Sequence, residues 1–144
     1  DNGEASGAVL EIVNFDTVSD TITLSDDVSS DFEDGDEFTI RPAATLASVF
    51  GAQNEAGLDS GFLGPGGADM IWLTDGSGGF TKYYYDEYSQ PTFTPNWVIL
   101  ENGAQGPTVD PGTVKFDDNS GFIIINVGNT QFVVSNPPSY YSGL

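Results

Sequence analysis

The side chains able to do chemistry in this chain are almost all carboxylates. Asp and Glu number 22, against three cations (Arg41, Lys82 and Lys115), and His and Cys are absent. Thiol, imidazole and Ser-His-Asp catalysis need residues the chain lacks. Zinc and iron–sulfur sites lose their usual ligands. Three cations cannot form the basic stripe that displaces counterions from phosphates, so nucleic acid is excluded as a partner. Carboxylate chemistry, hard-cation binding, or a role without chemistry remain.

Asp59-Ser60-Gly61 matches the tripeptide that aspartic proteases use in pairs, with two facing carboxylates sharing one proton. A lone copy among loop-forming residues reads instead as a solvated loop acid. Glu55, Asp69, Asp75, Asp86 and Glu87 lie along the same stretch as Trp72, Tyr83 and Tyr85. Carboxylates about 5 Å or about 6.5–9.5 Å apart hydrolyse glycosidic bonds. The same rings without catalysis could form a carbohydrate-binding face. An acid-rich chain places some carboxylates beside aromatics by composition alone.

Calcium needs about six to eight oxygen ligands from carboxylates, amides and carbonyls. Asp31, Glu33, Asp34, Asp36 and Glu37 surround Gly35 and form the candidate site for a structural calcium ion. Asp16/Asp20, Asp26/Asp27 and Asp117/Asp118/Asn119 are further clusters, none with EF-hand spacing. The competing reading is turn chemistry, since Asp and Asn bond their own backbone in turns. Arg41, the sole arginine, is expected to fork onto a carboxylate and fix a loop.

Positioning such groups falls to β-structure. Val9–Val13, Thr21–Leu24 and Glu37–Ile40 read as a meander separated by Asp-rich turns. Thr45–Gly51 reads as the one helix: Leu46, Val49 and Phe50 share a face, and Gly51 follows the last turn. Asp69–Leu73 and Phe80–Tyr85 flank an Asp75–Gly79 turn. Trp97–Leu100, Phe122–Val127 and Thr130–Val134 complete the strands, with loops at 57–68 and around Gly106-Pro107 and Pro111-Gly112. Gly128-Asn129 reads as the tight turn between the last two. The expected fold is all-β, an antiparallel sandwich or barrel of eight to ten strands with one short helix near 45–50. A single domain over 1–144 is expected, with a flexible segment at 1–7 and a tail at 136–144.

Several segments in order resemble an uncharacterised family of exported proteins from environmental Gram-negative bacteria. They are Thr21–Leu24, Gly35–Pro42, Ala47–Gly51, Asn54–Leu58, Ala68-Asp69, Asp75-Gly76 and Tyr83–Tyr85. The likeness covers roughly residues 8–135. It implies export and supplies no mechanism.

A net charge of -19 keeps a protein soluble and self-repelling. The start, Asp1-Asn2-Gly3-Glu4, lacks Met and suggests removal of an export signal. No run approaches about 18 apolar residues, so membrane insertion is not expected. The expectation is a non-enzymatic extracellular or cell-surface protein, a filament or matrix subunit whose partners are copies of itself. Val9, Leu10, Ile12 and Val13 form a strand able to pair with a neighbour. Tyr83 and Tyr85 are candidate exposed rings on the same interface. The alternative is a secreted carbohydrate- or calcium-binding module.

Overall fold

Ile12–Asp16 (β1) and Thr21–Leu24 (β2) fold onto each other as an antiparallel hairpin in the computed structural model, which describes residues 10–30, 34–116 and 121–128. The turn is built on Asp16, whose carboxylate accepts the N–H groups of Val18 (2.8 Å) and Ser19 (3.4 Å). Those bonds, chiefly Val18's, hold its pKa below the ordinary carboxylate value. Ile12 pairs with Leu24 and Asn14 with Thr23, so Val13 is an extra residue, a β-bulge. The bulge puts Ile12 and Phe15 on the same face as Ile22 and Leu24. Without it, residues three apart would point to opposite sides.

By contacts the chain divides into two compact units, 1–40 and 41–144. In the first, no described residue is buried. The sequence places a strand at Glu37–Ile40, but these residues take no strand pairing among the described residues and lie exposed, with Phe38 69% and Ile40 61% accessible. Alternation over four residues is a weak signal without a partner strand, and Arg41-Pro42 allows no extension.

The second unit is a five-stranded antiparallel sheet in the order β6-β5-β4-β3-β7. Its strands are β3 (Met70–Thr74), β4 (Phe80–Ser89), β5 (Thr94–Glu101), β6 (Ala104–Thr108) and β7 (Phe122–Ile125). Its helix α1 (Leu46–Phe50) starts with a reciprocal cap. Ser48 N–H donates to Thr45 Oγ1 (3.2 Å), and Thr45 N–H donates to Ser48 Oγ (2.7 Å). Gly51 ends the helix at φ +90°, and a Cβ there would sit 2.7 Å from the Glu55 nitrogen.

Alternation sorts the sheet's side chains. One face carries Ile71, Leu73, Tyr85 and Trp97 against Leu46, Phe50, Ala56 and Leu58. Trp97 Nε1 donates to the Gly51 carbonyl (3.0 Å), which ties the helix end to β5. The other face carries Tyr84 and Val98 with Ala68, flanked by Met70 and Leu100. The class is therefore all-β, with antiparallel sheets and one short helix. Among the described residues there are seven strands. Among them also, no helix is long and apolar enough to cross a membrane.

β6 was not expected, because Gly106-Pro107 suggested a loop. Asn102 (φ +50°) and Gly103 (φ +79°) form a two-residue turn that returns the chain along β5. Pro107 is tolerated because β6 is an edge strand. The expected strand Thr130–Val134, the turn residue Asn129 and both expected flexible termini lie outside the described residues.

Candidate functional site

Among the described residues of the second unit, two acids are buried and hold loops. Asp86 and Asp69 are 0% and 1% accessible, and a buried carboxylate needs donors at its oxygens. Asp86 Oδ1 accepts the N–H groups of Leu63 (3.1 Å) and Tyr88 (2.9 Å), and Oδ2 accepts that of Gly64 (2.7 Å). Asp69 Oδ1 accepts Val127 N–H (2.7 Å), and Oδ2 accepts Asp59 N–H (3.0 Å) and the Asn126 amide (3.3 Å). Asp86 pins the loop after Gly61 to β4, and Asp69 joins residue 59 to the end of β7.

The pinned loop runs beside β4. Gly61 N–H donates to the Tyr85 carbonyl (2.7 Å), and Glu87 N–H donates to the Gly61 carbonyl (3.0 Å). Only glycine fits there, because a Cβ would meet the Gly64 carbonyl and lie 2.9 Å from the Tyr84 ring. Phe62 is thereby laid flat on Tyr88, with ring centroids 5.5 Å apart and planes 9° apart. Phe93, on the turn between β4 and β5, adds a third ring 5.1 Å from Tyr88 at 38°. Its N–H donates to the Ser89 carbonyl (2.7 Å). The rings stay open to solvent: Phe62 67%, Tyr88 41% and Phe93 48% accessible. Two neighbours hold left-handed backbone, Leu63 at φ +55° and Phe93 itself at φ +54°. Bulky side chains rarely adopt that region, at a cost of about 1–3 kcal/mol each.

A second aromatic group lies on β3 and β4. Trp72 packs on Phe80 (5.9 Å, 49°), with the Lys82 ammonium 4.0 Å above its ring. Trp72 Nε1 and the Tyr84 hydroxyl are buried with no hydrogen-bond partner among the described residues. Burial, and then the Asp86 charge, push the Tyr84 hydroxyl up to about 12.

The residues singled out from sequence fall as follows. Tyr85 is buried in the core, and Tyr83 is half-buried against it. Ile12 and Val13 lie in β1 paired with β2, Leu10 is half-buried just before it, and Val9 lies outside the described residues. Asp34, Asp36 and Glu37 are exposed, while Asp31 and Glu33 lie outside the described residues. Among the described residues no three acidic side chains come together as metal ligands.

Other acids serve turns. Asp75 accepts Ser77 N–H (2.8 Å), Ser77 Oγ (2.7 Å) and Gly79 N–H (3.0 Å), and these bonds, Ser77's foremost, lower its pKa. Asp27 accepts Ser29 N–H (3.1 Å) and is lowered likewise by Ser29. Glu55 accepts Gln53 N–H (2.9 Å). Asp59-Ser60-Gly61 is a loop segment whose Asp59 carbonyl accepts Asp69 N–H (2.8 Å).

Sequence reasoning missed the Phe62–Tyr88–Phe93 stack. The available signal was an absence of charge: in this acidic chain, residues 60–68 and 88–100 carry no charged side chain. A scan against protein-family models finds no match, and neither does a search of curated proteins or of solved structures.

Proposed function

We propose that the protein is a non-enzymatic structural subunit, exported to the cell surface or beyond, which assembles with copies of itself through β-strand pairing. The observation that carries this reading is the β1–β2 hairpin. It has an apolar face of Ile12, Phe15, Ile22 and Leu24 in a unit where no described residue is buried. A two-stranded hairpin is marginal alone. Among the described residues each of its strands has a single neighbour. A strand from another copy would supply both backbone partners and apolar cover.

Export draws its support from the acidic, cation-poor composition and from the family resemblance of the sequence. The non-enzymatic reading is supported by the buried acids, whose oxygens already accept backbone N–H groups. The alternative, a secreted carbohydrate- or calcium-binding module, is favoured on the carbohydrate side by the exposed rings of Phe62, Tyr88 and Phe93.

Electron microscopy of the intact chain, beside the double variant Phe15→Lys/Ile22→Lys, tests the assembly. Ordered fibres from the intact chain are expected at raised salt. The variant should give dispersed particles that keep a β-type circular dichroism spectrum. Fibres of equal order from the variant would remove the hairpin from the account.

A further inference from the structure

The ring stack is charge-free in a chain of net charge -19, bordered in sequence by the buried Asp86 and by Glu87. Its rings come from a loop, a strand and a turn, so no single local preference explains their meeting. Three separate constraints hold it: Asp86 on the Leu63, Gly64 and Tyr88 N–H groups, Gly61 against Tyr85, and Ser89 on the Phe93 N–H. Left-handed backbone at Leu63 and Phe93 accompanies the exposed rings, and strain of this kind clusters at ligand clamps.

We propose that Phe62, Tyr88 and Phe93 form a binding site for a neutral polysaccharide, with one pyranose ring lying flat on the outermost aromatic face. Size favours this occupant over a second copy. An aromatic side chain offers about 150–250 Å², so the exposed parts of three rings present roughly 300 Å². A stable protein contact needs about 800 Å² per partner. Charge points the same way. Anionic glycans and nucleic acid are repelled at this net charge, and a cationic peptide would find more carboxylates elsewhere. A neutral pyranose with equatorial substituents presents an apolar C–H face to the ring. Its hydroxyls can reach for the side chains of Thr92, on the turn that carries Phe93, and Thr94, at the start of β5, whose oxygens lie 2.8 Å apart. The site stands independently of self-assembly.

Calorimetric titration of the intact protein with cellohexaose, laminarihexaose and mannohexaose tests it. At least one neutral hexasaccharide should bind in the micromolar to millimolar range. Phe62→Ala and Tyr88→Ala should each weaken it by about tenfold or more. Phe80→Ala, on the separate Trp72 group, should leave it within about twofold. Asp86→Asn, which disturbs the N–H anchors while sparing the rings, should weaken binding and leave the β-type spectrum intact. No binding of any of the three sugars at millimolar concentration overturns the proposal. So does an equal loss in Phe80→Ala. If Phe62→Ala dissociates assemblies while no sugar binds, the stack is a contact between copies and the proposal falls.

Discussion

At the residue scale the buried polar groups divide into those with partners and those without. Asp86 and Asp69 collect backbone donors at both oxygens, and charge-assisted bonds of this kind are among the stronger ones in a protein. The Tyr84 hydroxyl has no such partner among the described residues. Tyr84→Phe should therefore cost little, within about 1 kcal/mol of neutral, because it removes a buried group that gains no protein bond. The same residue sets a pH dependence. Its folded pKa is raised from 10.0 to about 12, so the folded state holds its proton longer than the unfolded chain. The associated stability is complete below about pH 10 and is lost as pH rises through about 12. Thermal melts between pH 9 and 12 should fall less steeply for Tyr84→Phe than for the parent. Tyr83 and Tyr85, both raised by burial, should keep part of the slope. Identical slopes would assign the alkaline loss to other groups. The anchoring role of these acids was not legible in the sequence. A buried Asp and a surface Asp are the same letter, and its donors at residues 63, 64 and 127 are distant along the chain.

At the element scale, legibility followed locality. Thr45–Gly51 was readable because cap, apolar face and terminal glycine all lie within seven residues. β3 and β4 were readable from alternation around a Gly-rich turn. β6 carried a strong hairpin signal in Asn102-Gly103, masked by the louder Gly106-Pro107. Glu37–Ile40 has the alternation of a strand but takes no partner among the described residues, and no local pattern can supply one. The ring stack was hidden for the same reason: Phe62 and Tyr88 are 26 positions apart and meet only because Gly61 pairs with β4. The hairpin β1–β2 and the five-stranded sheet should also differ in stability. Amides of β1 and β2 protect no buried core, so hydrogen exchange there should be fast in dilute protein. Amides of β3, β4 and β5 should be slow. Under conditions that promote assembly, the β1–β2 amides alone should gain protection. Equal protection in dilute protein would mean the hairpin is already stably covered.

For the whole molecule, charge would set the conditions for the proposed assembly. Copies carrying -19 each repel at low salt, and the repulsion reaches about 10 Å at 0.1 M and about 3 Å at 1 M. Contacts between copies that rest on apolar side chains and backbone bonds persist when salt shortens that range. Association should therefore strengthen with salt, the reverse of a protein that binds nucleic acid. The measurement that tests this most directly is sedimentation velocity on the intact chain across a sodium chloride series at fixed protein concentration. The account predicts monomer at low salt and a growing population of large, ordered species as salt rises. A single monomeric boundary at every salt concentration, at the highest protein concentration attainable, would contradict it.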